Sequence, residues 1–360
     1  MAVKIVDQNF NLRKQIDVAG TKVYDLPSAE FSLFGVNVDE KTGAFVRMDL
    51  DVAKAVSAGV YHHARHTSGG RLCFATDSTS LKIAVEYAEF GAMPHMPLTG
   101  SSGFSLFELT DKGERYVAMF APYHIETSGF TASVQLGGGF RRYVLYFPLY
   151  NVVNRLSVAL DESAQVQPIN PYREIKPILY YGSSITQGGC ASRPDQSYEA
   201  LICKRNHIDF INLGFSGNAK GEQEMVAYLA GINCSLFVCD YDYNAPTLEH
   251  LQATHYPLYE QFRKAQPTTP IIFVSRPGVR RGDAVGLARE RVIRNTYLRA
   301  KRQGDRNVYF LSGTRFFKEN VRWNFTVDTV HPTDYGFALM AKEMYKKMLE
   351  IDEQFGEKDD

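Results

Sequence analysis

The segment Pro177-Ile178-Leu179-Tyr180-Tyr181-Gly182-Ser183-Ser184-Ile185-Thr186-Gln187-Gly188 decides the fold of the second half of the chain. Its apolar first part is typical of a buried strand, and the Gly182-Ser183 pair lets the chain turn sharply where that strand ends. In open parallel sheets, ligands bind outside the carboxyl ends of the strands. The pattern therefore predicts that Ser184 lies at a ligand site.

Strand-like and helix-like segments continue to alternate after Pro177. This alternation predicts a parallel sheet covered by helices on both faces, a three-layer α/β/α arrangement. We expect strands at 178–181, 209–213, 235–239, 271–274 and 308–311, and helices at 198–205, 222–229, 248–265, 284–301 and 335–351.

The preceding part of the chain has a different rhythm, with short β-like runs separated by glycine- and serine-rich turns. Clear examples of such runs are 71–75, 81–85, 115–120 and 142–147. Many short strands at this spacing predict an antiparallel β-sandwich. The proline-rich stretch 168–176 is typical of a stiff connector. The sequence thus predicts a sandwich domain at 1–167, a linker at 168–176 and an α/β domain at 177–360.

Ser184 combines with Asp328 and His331, far downstream, into a possible nucleophilic triad. A serine hydroxyl is a weak nucleophile and needs a base to take its proton as it attacks a carbonyl carbon. His331 offers that base, and Asp328 is placed to hold the imidazole in the correct tautomer. Alone, Ser184 fits an ordinary turn serine, and the other two fit caps of the final helix. The combination favours catalysis.

Acyl transfer also requires donors for the negative charge that develops on the carbonyl oxygen. Candidates are the backbone N–H groups of Ser184 and Gly217 and the side-chain amide of Asn244. Gly217 and Asn244 each follow an apolar run, so both are expected near strand carboxyl ends. Glycine and asparagine are common in turns, and without Ser184 a purely structural role would be favoured.

Four segments in order resemble the motif blocks of the SGNH/GDSL hydrolase superfamily. They are Gly182-Ser183-Ser184-Ile185-Thr186, Asn212-Leu213-Gly214-Phe215-Ser216-Gly217-Asn218, Tyr241-Asp242-Tyr243-Asn244 and Asp328-Thr329-Val330-His331-Pro332. The resemblance implies a flavodoxin-like sheet, with Ser184, His331 and Asp328 as the triad and Ser184, Gly217 and Asn244 as the oxyanion hole. The chain departs from the family at Ser183, where Asp is commoner, and in the third block, where Asp242 replaces a glycine and Ala245 an aspartate.

With its preceding jelly-roll-like sandwich, the chain resembles the two-domain members of this superfamily that are carbohydrate esterases. Val23-Tyr24-Asp25-Leu26-Pro27 is similar to a Tyr-Asp-Leu element near the start of such proteins. The resemblance implies removal of acetyl groups from plant hemicellulose oligosaccharides such as mannan or xylan, without a cofactor. Tyr243 and Trp323 are candidates for stacking on the sugar, although loop aromatics equally often fill a core. A lipase or thioesterase is one alternative, and a non-catalytic glycan-binding protein is another.

Composition limits the partners. The 360 residues carry 40 basic and 40 acidic side chains, and this zero formal net charge favours neither nucleic acid nor an anionic membrane. The apolar runs are shorter than a membrane helix needs, and the first residues lack the apolar core of a signal peptide, so a cytoplasmic location is expected.

Five cysteines without a Cys-X-X-Cys pair argue against a disulfide framework or a zinc finger. His62, His63 and His66, in a β-like stretch, are not expected to hold a metal.

Overall fold

The computed structural model describes residues 20–123, 128–279, 282–317 and 324–356. The chain divides into two compact units. The first consists of the chain up to Arg47, Arg65–Pro171 and Ser192–Asp195, and the second of Met48–Ala64, Tyr172–Ala191 and the chain from Gln196 onward. The predicted domain limits at 167 and 177 differ from this division chiefly at Met48–Ala64, which the sequence prediction placed in the sandwich domain.

The first unit consists mainly of two antiparallel sheets. Its strands are β1 Thr21–Asp25, β2 Ser32–Phe34, β3 Asn37–Val38, β4 Phe45–Val46, β5 Arg71–Thr76, β6 Ser80–Glu89, β7 Phe104–Thr110, β8 Gly113–Phe120, β9 Gly129–Gln135, β10 Arg141–Tyr146, β11 Val152–Asp161 and β12 Val166–Pro168. One sheet has the order β1-β11-β6-β9, and the other β12-β5-β10-β7-β8 with β2 beside β5. The sandwich predicted from the sequence is confirmed.

Side chains from both sheets form one hydrophobic core in this unit. Leu81, Ile83 and Val85 alternate along β6 and are buried, as a strand with one face toward a core requires. Aromatic rings fill much of the space between the sheets, and the Phe104 and Phe147 ring centroids lie 5.2 Å apart. Such packed aromatic pairs contribute beyond the area they bury.

Asp161, at the end of β11, fastens that strand to the turn before β6. Its carboxylate accepts hydrogen bonds from the Thr79 N–H at 2.7 Å, the Thr79 hydroxyl at 2.8 Å and the Ser80 hydroxyl at 2.6 Å. Burial acts to raise the pKa of Asp161, but these hydrogen bonds outweigh it and lower the pKa to about 2. Because the folded state lowers this pKa, the carboxylate stabilises the fold above about pH 4, and this contribution is lost as the pH falls toward 2.

We expect Asp161→Ala to lower the free energy of unfolding at pH 7 by roughly 1–3 kcal/mol, because several donors lose their charged acceptor. Thermal unfolding of the mutant and the wild type from pH 7 to pH 2 measures the difference, which should shrink below pH 4. Asp25→Ala is the control, since the exposed Asp25 accepts a bond from Ser157 on the same sheet. An equal loss for both mutants would contradict this role of Asp161.

Two short helices between β4 and β5 were not predicted. They are α1 Leu50–Val56 and α2 Ala58–Ala64. The Asp49 carboxylate caps α1 by accepting from the N–H groups of Asp51 and Val52, a start signal that the prediction overlooked. α1 belongs to the second unit and packs there against the helix that carries Tyr228, whose hydroxyl bonds the backbone of Asp49. The β-like interpretation of this stretch was therefore wrong, and His62 and His63 lie on α2.

The second unit is built on a parallel five-stranded sheet. Its strands are β13 Ile178–Gly182, β14 Phe210–Gly214, β15 Leu236–Asp240, β16 Ile271–Val274 and β17 Val308–Leu311, in the order β14-β13-β15-β16-β17. This is the 2-1-3-4-5 order of flavodoxin-like folds. The four strands other than β17 are almost fully buried, as expected for a parallel sheet covered on both faces. The predicted α/β class and the five predicted strands are confirmed.

The helices of the chain complete the layers. Among the described residues, the helices after α1 and α2 are α3 Leu98–Ser101 in the first unit, and α4 Ser184–Gln187, α5 Tyr198–Asn206, α6 Gln223–Gly231, α7 Leu248–Ala265, α8 Ala284–Arg302 and α9 Asp334–Ile351 in the second. Hydroxyl or carboxylate groups cap α7, α8 and α9 at Thr247, Asp283 and Thr333. These caps explain why the three helices begin within one residue of their predicted starts. In the described part of the chain, each helix is too short or too polar to cross a bilayer.

Candidate active site

The chain turns sharply where β13 ends, and this turn presents Ser184. Ser183 caps the short helix α4 by accepting the Ile185 N–H at 3.2 Å, so a serine serves as the cap at the position where the family more often has aspartate. Ser184 is the first residue of α4, and Gly188 ends the helix in the left-handed conformation, with φ of 95°. The Ser184 side chain therefore stands at the carboxyl edge of the sheet and is half-buried.

The structure brings Ser184, His331 and Asp328 into one hydrogen-bonded chain. Ser184 Oγ lies 2.7 Å from His331 Nε2, and His331 Nδ1 lies 2.7 Å from Asp328 Oδ2. When Nδ1–H donates to the carboxylate, Nε2 carries a lone pair that accepts the serine proton. This is the arrangement of a nucleophile, its base and the group that orients the base.

Asp328 also builds the turn that carries His331. Its Oδ1 accepts the backbone N–H groups of Val330 at 3.1 Å and His331 at 2.8 Å. Partial burial acts to raise the pKa of Asp328, but the hydrogen bonds from His331 and Val330 outweigh it and lower the pKa below its usual value. Thr329 takes a left-handed conformation with φ of 72°, which is strained for a β-branched residue. The Asp328 contacts hold the turn in this strained form.

The three candidate oxyanion donors follow three adjacent strands. β14 and β15 flank β13, and Gly182 aligns with Gly214 on one side and with Asp240 on the other. Gly217 has φ of 70° in a turn closed by the Asn218 N–H to Phe215 carbonyl bond. Within the described residues, the Ser184 and Gly217 N–H groups donate to no protein acceptor, so both can serve a ligand.

Asn244 lies in the short 3-10 turn Asp242–Asn244 after β15. Its Oδ1 accepts the Ala219 N–H at 3.2 Å. This bond fixes which end of the amide faces the loop after β14, so the Nδ2H2 group points away from Ala219. The prediction that Asn244 is an oxyanion donor stays a prediction, and the amide orientation is compatible with it.

Gln187 is a residue of the site that the sequence analysis did not single out. Its Oε1 accepts both the N–H and the hydroxyl of Ser216 at 3.0 Å, one residue before Gly217. A Cβ at Gly214 would lie 2.2 Å from the Gln187 backbone nitrogen, so only glycine lets α4 approach the end of β14 this closely. The helix that carries Ser184 and the Gly217 loop are therefore held together.

Burial disfavours the ionised forms of two other titratable groups near the site, Cys190 and Asp240. The Cys190 thiol is buried, and burial together with the negative charge of Asp328 raises its pKa to about 12. This thiol is therefore protonated at neutral pH and is a weak nucleophile. Burial likewise raises the pKa of Asp240, and the nearby charge of Asp242 raises it further.

Of the two candidate sugar-stacking residues, Tyr243 and Trp323, the structure describes only Tyr243. The Tyr243 hydroxyl donates to the Pro277 carbonyl at 2.9 Å, and the Arg276 guanidinium lies 4.7 Å from the ring centroid. One face of the Tyr243 ring is thus covered by protein. Trp323 lies outside the described residues. His62 and His63 contact each other edge to face on α2, and the expectation that His62, His63 and His66 hold no metal stays a prediction.

Comparisons with known families agree with this architecture. The model of the GDSL-like lipase/acylhydrolase family matches residues 175–350. The model for the N-terminus of SGNH-hydrolase-type esterases matches residues 21–166. The chain belongs to the SGNH/GDSL hydrolases. The resemblance predicted from the four motif segments is therefore confirmed.

Solved structures share the fold of this SGNH hydrolase over most of both chains. A protein described as a GDSL-like lipase from Bacteroides ovatus has 24% identity and a TM-score of 0.82, covering 92% of this chain and 98% of its own. A salicylyl-acyltransferase from a tetracycline biosynthetic pathway has 17% identity and a TM-score of 0.77, covering 93% and 98%. An acetyl xylan esterase from Butyrivibrio proteoclasticus has 12% identity and a TM-score of 0.59, covering 92% and 98%. The search of curated proteins found no match.

Proposed function

We propose that this SGNH hydrolase is a serine esterase that removes acetyl or other short acyl groups from carbohydrate. The observation that carries the proposal is the hydrogen-bonded chain from Ser184 through His331 to Asp328. These groups supply general base catalysis and a nucleophile without a metal or an organic cofactor.

In the first half-reaction, Ser184 Oγ attacks the ester carbonyl while His331 Nε2 takes the hydroxyl proton. The carbonyl oxygen becomes an oxyanion, which the N–H groups of Ser184 and Gly217 and the Asn244 amide stabilise. The C–O bond to the sugar then breaks, and His331 returns the proton to the leaving alkoxide. The product of this step is an acyl ester on Ser184.

In the second half-reaction, water attacks the acyl carbon and His331 takes the proton of that water. The same oxyanion donors stabilise the second tetrahedral intermediate. Its collapse breaks the bond to Ser184 Oγ, which regains a proton from His331, and the free carboxylic acid leaves. Asp328 remains ionised throughout and stabilises the imidazolium in both halves of the reaction.

Two features support a short acyl group on a neutral sugar. The solved structures similar to this chain include an acetyl xylan esterase. The zero formal net charge creates no overall field that would favour an anionic lipid surface or a polyanionic substrate. A lipase or thioesterase activity is the alternative within the same family, and acyl chain length separates the two.

We expect acetyl esters to be cleaved faster than octanoyl esters. A small acyl pocket excludes long chains, whereas a lipase pocket gains about 0.8 kcal/mol of binding for each added methylene. A nitrophenyl ester series from acetyl to octanoyl measures kcat/KM, with Ser184→Ala protein as the control for contaminating esterases. Values that climb with chain length would favour the lipase alternative.

We also expect acetate release from acetylated xylo- or manno-oligosaccharides. The measurement follows free acetate and compares kcat/KM with that for nitrophenyl acetate at the same pH. Added chelator should leave both rates unchanged, because each proton transfer in this mechanism uses a side chain. If nitrophenyl acetate is cleaved but acetylated oligosaccharides are not, the carbohydrate assignment is wrong while the esterase assignment stands.

A further inference from the structure

The third motif segment carries a buried charge where the family usually has glycine. The Asp242 side chain is fully buried and lies two residues before Asn244. A buried carboxylate is costly unless charged partners and hydrogen bonds compensate it. Two arginines, Arg276 and Arg289, form ion pairs with this carboxylate. The aspartate that replaces glycine in the motif is therefore matched by charged partners from elsewhere in the chain.

Arg289, on α8, donates hydrogen bonds to both ends of the turn that contains Asn244. Its Nε donates to Asp242 Oδ1 at 2.7 Å. Its Nη2 donates to the backbone carbonyls of Asp242 and of Ala245, the latter at 2.8 Å. One planar guanidinium thus bonds the residues on either side of the Tyr243-Asn244 pair, and its side chain is 5% exposed. The fixed fork of donors is specific to arginine.

Arg276 ties the same carboxylate to the next strand of the sheet. It follows β16, and its backbone N–H donates to Asp242 Oδ2 at 2.9 Å. Its guanidinium Nη2 donates to Asp242 Oδ1 at 3.1 Å. The turn after β15 is therefore fixed against both the end of β16 and the inner face of α8.

We propose that Asp242 and Arg289 are positioning residues that hold Asn244 in the orientation needed to donate to the oxyanion. The Asn244 amide contacts Ala219 through Oδ1 at 3.2 Å, and the placement of its Nδ2 depends on the backbone of the turn that Arg289 fixes. The inference rests on the proposed role of Asn244 in the esterase. It does not depend on the acyl group being carried by a carbohydrate.

A double-mutant cycle between Arg289→Lys and Asn244→Ala tests the proposal with nitrophenyl acetate as substrate. Lysine keeps the charge but loses the fork that bonds two carbonyls. We expect Arg289→Lys to lower kcat by about 10–100-fold with KM nearly unchanged, because an oxyanion donor acts mainly in the transition state. In the Asn244→Ala background the same exchange should lower kcat by less than about threefold, since the group it positions is gone.

Arg263 offers a matched control in the same unit. It pairs with Asp305 at 2.8 Å and donates to the carbonyls of Gln266, Thr269 and Asn307 at 2.7, 2.6 and 3.0 Å. Thr269 and Asn307 precede β16 and β17, so this clamp lies at the amino edge of the sheet, opposite the site. Arg263→Lys should lower stability while leaving kcat within about twofold in both backgrounds.

The outcomes separate the proposal from its premises. If Asn244→Ala leaves kcat unchanged, both the oxyanion role of Asn244 and the positioning inference are overturned. If Asn244→Ala is harmful but Arg289→Lys costs the same factor in both backgrounds, only the inference is overturned. Should Arg289→Lys not fold, Asp242→Asn takes its place in the cycle, because it keeps the side-chain volume and removes the charge.

A crystal structure of the Arg289→Lys protein gives a readout that is independent of any substrate. We expect the contact between Asn244 Oδ1 and the Ala219 N–H to be lost or to be shared between two side-chain conformations. An unchanged turn with that contact at its original length would overturn the proposal even if kcat falls.

Discussion

Replacing Ser184 with alanine is expected to lower kcat for ester hydrolysis by roughly 10⁴–10⁶-fold, because no acyl-enzyme forms without its oxygen. The hydroxyl lies 2.7 Å from His331 Nε2, and we expect His331 and Asp328 to keep their positions in the mutant. The residual rate should come from water activated by His331 and from the oxyanion donors. Initial rates with nitrophenyl acetate, together with the thermal unfolding midpoint, measure the loss and show that the fold is intact.

The neighbouring Ser183 supplies the matched control for this experiment. Its hydroxyl oxygen accepts the Ile185 N–H as the cap of α4, so Ser183→Ala should cost about 1 kcal/mol of stability and leave the nucleophile available. A serine-directed phosphonate should label the wild type and Ser183→Ala on the peptide containing Ser184, and should not label Ser184→Ala. Labelling of another serine, or near-normal turnover by Ser184→Ala, would refute the assignment of the nucleophile.

The α/β unit could be predicted closely from the sequence because its elements carry strong local signals. Its strands are continuous apolar runs that end in glycine or polar residues, and its longer helices begin at recognisable caps. The predicted helix at 248–265 coincides with α7, and the strands agree within one residue at each end. The placement of the candidate site residues could be predicted for the same reason, since Ser184, Gly217 and Asn244 each follow a strand whose carboxyl end faces one edge of the sheet, while their catalytic roles stay predictions.

Other parts of the structure carry weaker local signals, such as the single Asp49 cap of α1. α1 and α2 are short, and the stretch around Val60, Tyr61 and His62 mixes β-branched, aromatic and polar residues that do not mark a helix. The partners of Asp242 could not be inferred from the sequence, because Arg289 lies 47 residues away in the chain on a helix rich in charged residues. Only the tertiary fold brings that guanidinium to the turn. The sequence shows that Asp242 replaces the glycine of the motif, but it does not show that Arg276 and Arg289 pair with this aspartate.

Within the site, His331 and Asp328 are expected to differ in importance. His331→Ala removes the group that takes and returns the proton in both half-reactions, so its effect on kcat should approach that of Ser184→Ala. Initial rates of the His331→Ala, Asp328→Asn and Asp328→Ala proteins from pH 5 to pH 9 make the comparison. A His331→Ala rate equal to that of the wild type would contradict the role of His331.

Two contributions of Asp328 can be separated by the choice of substitution. Where the orienting aspartate is buried, exchange for asparagine costs roughly 10⁴-fold in kcat, mainly through the wrong imidazole tautomer. The Asp328 side chain is 43% exposed, so solvent screens its charge and we expect Asp328→Asn to cost less, about 10²–10³-fold. Asparagine retains an oxygen that can accept the Val330 and His331 N–H groups, whereas alanine releases the strained turn at Thr329 as well. Asp328→Ala should therefore be more damaging than Asp328→Asn, and equal losses would mean that the turn-building contacts of Asp328 do not contribute to placing the base.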